Sequence, residues 1–386
     1  MALEQAYPTK TSETTSWTQI DVLTLSDIHL GNAANPAEFV IKGLEKKLTL
    51  KYMNGVNILF IAGDVFDRGL PLNHRDVPFI TSWIRRLLAR CARLGIVVLV
   101  LEGTPSHDRL QSHLFVAIND AAEENHKCDL RYVKEVSIEY IEQYNLNVLC
   151  IPDEKNTSDE VTYQQVLELM KARALDKVDF AVMHGFFDFQ VPMGRSTRFH
   201  IADRYKAIVK YLIFIGHDHT HRQVDNIFVQ GSPDRQRHGT EEDKGFVRAT
   251  VYCNGTYEAT FEVNEHAMVF KTITVDDDVD TASAQIHAVC DKHPHRSHIR
   301  IAARGNHPIM SAIDSFKLKY PFISFTKKVL DEETDKVENV VDAAEEEYVP
   351  FTIDSSNIKS VVHERLSFPL QGSEKEYFDN LMESVT

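Results

Sequence analysis

The apolar residues of this chain are concentrated in five runs, each of which ends at an acidic residue or a histidine. Runs of Val, Ile, Leu and Phe of this length, bounded by glycine and polar residues, are typical of strands buried on both faces of an α/β sheet. Segments with helical spacing lie between them, so the pattern predicts alternating strands and helices. The runs are Ile20–His29, Val56–Asp64, Gly95–Asp108, Val178–Gly185 and Tyr211–His219.

Between the runs, the spacing of apolar positions predicts helices over Pro36–Tyr52, Val77–Leu94 and Ser158–Leu175. A shorter pair of strands is predicted over Leu130–Glu139 and Leu146–Ile151. This alternation favours an α/β (α+β) fold with a layered α-β-β-α core over a β-sandwich or a helix bundle.

The pattern changes after His219 to short strands in which apolar and polar residues alternate. These strands fall between Phe246 and Val275, and Asn254-Gly255 between two of them is a hairpin signal. We expect them to complete a second sheet of the same domain, which would then span residues 18–275.

The remainder of the chain is predicted to form three smaller pieces. The pattern of residues 281–330 predicts a helix, a strand, a second helix and a second strand, which indicates a small α+β domain. Residues 331–348 are dominated by acids, nine of them against one lysine between Asp331 and Glu347, and such a block favours a solvated linker. Residues 349–386 contain two short amphipathic segments with helical spacing.

Composition is that of an ordinary globular protein, with 43% hydrophobic and 26% charged residues. No apolar stretch is long enough to cross a bilayer, the polar start does not resemble a signal peptide, and the five scattered cysteines suit neither a disulfide framework nor a zinc knuckle. We therefore expect a cytoplasmic protein without a membrane partner. The net charge of −15 argues against binding nucleic acid by bulk electrostatics alone, although about half of it belongs to the acidic linker.

Residues able to bind metals stand at the ends of the five apolar runs. In open α/β sheets ligands bind beyond the carboxyl ends of the strands, so these side chains are expected to share one pocket. Positions 27 and 29 should face the same way, because side chains along a strand alternate with period two. The residues are Asp27, His29, Asp64, His107, His184, His217 and His219.

Carboxylates combined with imidazoles suit Mn²⁺, Fe²⁺ or Zn²⁺, whereas purely oxygen ligands would favour Mg²⁺ or Ca²⁺. Asp64 is the natural bridge, since one carboxylate can give an oxygen to each of two ions. Two ions about 3.5–4 Å apart can clamp a phosphate and activate water, so the pattern indicates phosphoester hydrolysis. Taken singly, each acid or histidine is more often a structural residue, and only their joint occurrence supports a site.

The motifs DxH, GDxxD, a glycine turn ending in HD, HG and GHxH occur in this order, which resembles the calcineurin-like metallophosphoesterase superfamily. A second stretch, GSPDR at 231–235 followed by HG, EE and KGF at 244–246, is similar to the GSxxR…GE…KGF stretch of SbcD-type DNA double-strand-break-repair nucleases. The resemblance covers residues 18–275 by motif. By layout it extends over 281–330, a capping domain in that family, to the tail.

The resemblance implies two Mn²⁺ ions, with Mg²⁺ or other divalent ions as alternatives. Asp27, His29, Asp64 and His219 would hold one ion, and Asp64, His184 and His217 the other. His107 is implied as the catalytic histidine, with Asp108 beside it. The family reads GNHD where this chain has GTPSHD, so the place of the asparagine that binds the second ion falls either to Ser106 or to a water molecule. Arg68 is a candidate for substrate binding, since GDxxDRG also occurs in protein phosphatases, where that arginine binds the substrate phosphate.

The function that the resemblance implies is a Mn²⁺-dependent DNA nuclease for repair, recombination and replication, acting as an exonuclease on duplex ends and as an endonuclease on single strands or hairpins. Its expected partner is an SbcC-type SMC-like ATPase that binds residues 349–386, with the chain a homodimer inside a heterotetramer. The altered third motif suggests a divergent or viral member, in the second case located in the host cytoplasm. The alternatives are a phosphomonoesterase or protein phosphatase of the same fold, and a scaffold with a decayed site.

Overall fold

A computed structural model describes residues 17–153, 158–191, 198–293 and 297–330. Over these residues the chain forms fifteen strands and eight α-helices. The chain is therefore of the mixed α/β class, as predicted. Within this part of the chain, none of the helices combines the length and the apolar character needed to cross a membrane.

The strands are β1 (Gln19–Leu25), β2 (Ile58–Ala62), β3 (Val97–Leu101), β4 (Leu130–Val133), β5 (Ser137–Ile141), β6 (Leu146–Ile151), β7 (Phe180–His184), β8 (Ile213–Gly216), β9 (Arg222–Val224), β10 (Ile227–Val229), β11 (Gly245–Tyr252), β12 (Tyr257–Val263), β13 (Val269–Thr274), β14 (Ser297–Arg304) and β15 (Ile323–Leu330). The helices are α1 (Ala37–Lys47), α2 (Leu50–Met53), α3 (Val77–Leu94), α4 (Leu114–Asp120), α5 (Asp159–Ala172), α6 (Ala202–Ile208), α7 (Val279–Lys292) and α8 (Ile313–Lys319).

Two six-stranded sheets carry the apolar runs. The first has the order β12-β11-β1-β2-β3-β4, in which β1 to β4 are parallel and β11 and β12 are antiparallel. The second has the order β5-β6-β7-β8-β10-β9, with antiparallel strands only at its two edges. The central parallel strands β2, β3, β7 and β8 are buried on both faces, which explains why their sequences are continuous apolar runs.

An apolar layer joins the two sheets face to face. Phe60 on β2 lies against Phe180 and Phe214 of the second sheet, with ring centroids 6.2 and 5.9 Å apart. The opposite face of the first sheet is covered by helices that include α1 and α3, and the opposite face of the second by α5 and α6. This packing fixes the two sheets relative to each other, and with them the ends of their strands.

Helix α3 shows why the sequence pattern located some elements well. Its buried residues recur at the three- and four-residue spacing of one helix face, and include Trp83 and Leu87. Pro78 lies in its first turn, where a missing N–H costs nothing. The helix ends at Gly95, whose φ of 68° is the left-handed conformation that terminates many helices.

Three sequence expectations about the two large sheets and helix α1 were wrong. The predicted strand Leu130–Glu139 is two strands, since β4 pairs with β3 in the first sheet and β5 pairs with β6 in the second. Strands β11 and β12 extend the first sheet beside β1, instead of completing a second sheet. The predicted helix Pro36–Tyr52 is interrupted at Leu48 and Thr49, and the Thr49 side chain accepts a hydrogen bond from the N–H of Tyr52 to cap α2.

A third sheet of parallel strands, in the order β13-β14-β15, packs against α7 and α8. Its apolar core includes Ile286, Ile299 and Phe316. Strand β13 precedes the boundary expected at residue 275 and nevertheless pairs with β14. The acidic linker at 331–348 and the tail at 349–386 lie outside the described residues.

Candidate metal centre

The carboxyl ends of parallel strands from both large sheets meet at one place. Each delivers the residues that end its apolar run: Asp27 and His29 after β1, Asp64 after β2, His107 after β3, His184 at the end of β7, and His217 and His219 after β8. Their side chains form three overlapping groups with metal-binding potential, Asp27–His29–His219, His29–Asp64–His107 and Asp64–His184–His217. All seven predicted residues are thus brought together.

The backbone of this site has an unusual conformation. Asp27, His29 and Asp64 have φ near 50°, and His217 has φ of 100°, in the left-handed region that side chains other than glycine rarely adopt. Asp27 and His29 face one site, as expected, but strand alternation is not the reason, because β1 ends at Leu25. Instead, the N–H groups of Asp27 and His29 donate to the carbonyls of Gly63 and Asp64, which fixes the turn after β1 against the turn after β2.

Asp64 lies between two sets of donors and is almost fully buried. Its Oδ1 is 3.3 Å from Nε2 of His184. Its Oδ2 is 2.8 Å from Nδ1 of His107 and 3.7 Å from Nε2 of His29. One carboxylate therefore presents its two oxygens to different histidines.

The first set of donors gathers around Asp27. Its Oδ1 is 3.9 Å from Nε2 of His29 and 3.7 Å from Nε2 of His219, and these two nitrogens are 3.1 Å apart. Both carboxylate oxygens of Asp27 also accept the N–H of His217, at 3.0 Å. The second set is arranged by His184, whose Nδ1 lies 2.7 Å from the carbonyl of Ala62, so that its Nε2 faces the site.

Buried charges perturb one another in this site. Burial raises the pKa of Asp27. Burial also tends to raise the pKa of Asp64. The nearby His184 and the hydrogen bond from His107 nevertheless hold the pKa of Asp64 well below its usual range. Burial tends to lower the pKa of His184, but the neighbouring carboxylate of Asp64 raises it well above its usual value. A bound cation would take over the role of these protons, since metal ligands must be deprotonated.

Nitrogen and carboxylate donors of this kind fit a divalent first-row metal ion. Among the described residues, the donor atoms within each of the three groups lie within 4.8 Å of one another, close enough to share an ion. The structure therefore contains buried His/Asp groups that could bind metal.

In the third motif, the residue that reaches the donors is one that sequence reasoning missed. Thr104 directly follows Gly103, and its hydroxyl lies 3.3 Å from both Nε2 of His184 and Nδ1 of His217. Ser106, predicted to be a ligand, lies two residues further along the turn, where its carbonyl accepts a hydrogen bond from Nε of Arg109. The available signal was that Thr104, like the asparagine of GNHD, comes immediately after the glycine.

Asp108 and Arg68 are the two remaining predicted residues, and their catalytic and substrate-binding roles stay predictions. Asp108 is fully buried, and its two carboxylate oxygens each accept a backbone N–H at 2.8 Å, one from Phe66 and one from Gly103. Burial, reinforced by nearby acids, raises its pKa to about 8. Asp108 thus connects the backbone after the second motif to the backbone of the third. Arg68 is exposed, next to Asp67, whose Oδ1 lies 3.5 Å from Nδ1 of His29.

The stretch from GSPDR to KGF packs around the Asp27 side of the site. Nε2 of Gln236 donates to the carbonyl of Asp27 at 3.3 Å, and the N–H of Ser232 donates to the carbonyl of His219 at 3.2 Å. The ammonium of Lys244 donates to that same carbonyl at 2.7 Å and to Oε1 of Glu242 at 2.6 Å. The stretch therefore stabilises the backbone at two candidate ligands, Asp27 and His219.

Neither a protein-family model nor a curated protein matches this sequence. Among solved structures, TT1561 of Thermus thermophilus is 12% identical, with 63% of this chain and 99% of that chain covered and a TM-score of 0.35. GAP50, the anchor in the inner membrane complex of Plasmodium, is 13% identical, with 64% of this chain and 86% of that chain covered and a TM-score of 0.41. At these TM-scores the likeness indicates neither a family nor a function.

Proposed function

We propose that this chain is a divalent-metal-dependent phosphodiesterase, a DNA nuclease of the SbcD type with the four-layer α-β-β-α core of the metallophosphoesterases. The observation that carries the proposal is the placement of Asp64 between two donor sets. One set contains Asp27, His29 and His219, and the other His184 and His217. A carboxylate in this position is suited to bridge two ions, and Mn²⁺ agrees with the mixed nitrogen and oxygen donors.

Two bound ions would neutralise a phosphodiester, lower the pKa of a water molecule and stabilise the leaving oxygen. The chain's own contribution centres on His107, which is half-buried and so is open to a substrate at the rim of the site. Burial tends to lower the pKa of His107, but the hydrogen bond that its ring N–H donates to Asp64 raises this pKa above its usual value. A histidine that retains a proton near neutral pH can donate that proton to phosphate oxygen, which is the role proposed for His107.

The preference for DNA over a phosphomonoester rests on the stretch from GSPDR to KGF. A compact phosphatase has no need of this stretch, yet here it is tied to the candidate ligands Asp27 and His219. The proposal extends to residues 281–330 as a capping domain and to an SMC-like ATPase as the partner that docks on residues 349–386.

The test is a set of four substrates with Mn²⁺: linear duplex DNA, a DNA hairpin, circular single-stranded DNA and p-nitrophenyl phosphate. We expect cutting of DNA, little hydrolysis of the monoester, and no activity in Asp64→Asn, because an amide cannot supply a charged bridge. Asp120→Asn is the matched control, since Asp120 is exposed at the end of α4. It should cut as the wild type does.

The alternatives predict different results. Faster hydrolysis of the monoester than of any DNA would identify a phosphatase. A wild-type chain that binds no Mn²⁺ and cuts nothing would identify a scaffold with a decayed site. Comparable cutting by folded Asp64→Asn would show that the two-metal interpretation is wrong.

The partner requires its own assay, in which the chain lacking residues 349–386 is mixed with the ATPase. We expect the complex and its ATP-stimulated cutting of duplex ends to be lost, while Mn²⁺-dependent cutting of single strands persists. Undiminished affinity of the shortened chain for the ATPase would exclude the tail as the main contact.

A further inference from the structure

The hydroxyl of Thr104 lies among the donors of the second set. Besides its 3.3 Å distances to Nε2 of His184 and Nδ1 of His217, Oγ1 lies 3.1 Å from Oδ2 of Asp64. The two histidine nitrogens are themselves 3.4 Å apart, and His184 Nε2 is 3.3 Å from Asp64 Oδ1. The hydroxyl therefore belongs to a cluster of four residues whose donor atoms are all close neighbours.

These separations match the spacing of atoms that share a metal ion. Ligands at adjacent corners of an octahedron lie roughly 3 Å apart when each is about 2.1 Å from the ion. A threonine hydroxyl is an established ligand of divalent ions, as in the P-loop, where it binds Mg²⁺. The cluster has the spacing and the chemistry of one ion site.

Local backbone contacts hold Thr104 in this place. Its own N–H donates to Oδ1 of Asp64 at 2.6 Å. Its carbonyl accepts the N–H groups of His107 and Asp108, at 2.9 and 3.1 Å, which closes the turn around Pro105 and Ser106. The two extra residues of GTPSHD are thus inserted after Thr104, and they leave Thr104 in contact with the metal-binding groups.

We infer that Thr104 Oγ1 is the ligand of the second metal ion in this chain, in the place that the metallophosphoesterases give to an asparagine amide. The inference rests on the proposed two-metal centre and replaces Ser106 in that role. A hydroxyl that served only to orient Asp64 through their 3.1 Å hydrogen bond would affect both ions, because Asp64 faces both donor sets. A ligand of one ion affects that ion alone.

The experiment titrates Mn²⁺ into the full chain, follows binding by calorimetry, and records the electron paramagnetic resonance signal of coupled Mn²⁺ pairs. The variants are Thr104→Val, which removes the hydroxyl at nearly constant volume, Thr104→Ser, which keeps it, and Ser106→Ala as the matched control. We expect two ions in the wild type, Thr104→Ser and Ser106→Ala. In Thr104→Val one ion should bind at least about 10-fold more weakly and the pair signal should be lost, with the other ion retained. If circular dichroism shows that Thr104→Val does not fold, Thr104→Ala takes its place.

Unchanged binding of both ions by Thr104→Val would overturn the inference and leave the two-metal centre standing. Equal weakening of both ions would overturn it in favour of an orienting role. Loss of one ion in Ser106→Ala would return the role to Ser106. If the wild type binds fewer than two ions, the proposed centre itself fails, and the inference fails with it.

Discussion

Replacing Lys244 by methionine tests whether the stretch from GSPDR to KGF supports the metal centre. The side chain of Lys244 is 1% exposed, and its ammonium contacts both the carbonyl of His219 and the carboxylate of Glu242. Burial lowers the pKa of Lys244, although the carboxylate of Glu242 tends to raise it. The charged ammonium is therefore unfavourable in this buried place without a partner. Methionine keeps most of the volume and removes the charge.

The size of the effect follows from these contacts. Removing one partner of a buried ion pair costs about 3–5 kcal/mol. Because water can solvate Glu242, which is 36% exposed, and the carbonyl of His219 still accepts the N–H of Ser232, we expect the lower end, about 3 kcal/mol. For a domain of this size such a loss lowers Tm by roughly 6–12 °C. Affinity for the ion of the first donor set should fall about 10- to 100-fold, since the carbonyl of His219 loses one of its two hydrogen bonds.

The assay is thermal unfolding without metal, followed by Mn²⁺ titration of the folded variant. Lys271→Met is the matched control, because Lys271 makes an ion pair with Glu241 at 2.6 Å while 46% exposed. An exposed pair of this kind contributes less than about 1 kcal/mol, so Tm should change little. Equal shifts in the two variants, or unchanged Mn²⁺ affinity in Lys244→Met, would refute the reasoning.

Three further outcomes are expected. Gly103→Ala should abolish Mn²⁺ binding or folding, because an added Cβ would overlap the backbone nitrogen and carboxylate of Asp64; soluble protein that binds Mn²⁺ normally would contradict this. His107→Gln should lower kcat about 100-fold or more with Mn²⁺ affinity nearly unchanged, whereas exposed His126→Gln should leave steady-state kinetics intact; loss of metal by calorimetry would make His107 a ligand. Mn²⁺ affinity should rise between about pH 6 and pH 8, because the raised pKa of His184 means that the ion must displace a proton. Calorimetry in two buffers would detect the released proton, and a pH-independent affinity would contradict the expectation.

Sequence reasoning located elements whose signal is local. The continuous apolar runs became β1, β2, β3, β7 and β8, and helix α3 has the bounds, Val77–Leu94, that its spacing predicted. The division of Leu130–Glu139 between two sheets was not predictable in this way. Strands β4 and β5 have similar apolar patterns, and which sheet each joins depends on partners distant in sequence.

The same limit applied at the site. Its histidines and aspartates could be listed from strand ends, because parallel strands place their carboxyl ends together. The alignment of GTPSHD could not be settled from spacing, since two extra residues can be inserted on either side of the ligand. The hydrogen bonds that close the turn on the carbonyl of Thr104 support the inferred insertion at Pro105 and Ser106. Asp108, adjacent to His107 in sequence, likewise turned away to bind the backbone of Phe66 and Gly103.

The left-handed backbone at Asp27, His29, Asp64 and His217 bears on attempts to transplant this centre into another protein. Each such residue costs of the order of 1–3 kcal/mol, which the surrounding fold must offset. Copying the side chains onto the strand ends of another parallel sheet would give residues that relax to ordinary φ values and point elsewhere. A successful graft would have to include the turns after β1, β2 and β8 together with the hydrogen bonds that support them. The smallest segment set that could be transferred is therefore these three turns, and the candidate ligands alone would not suffice.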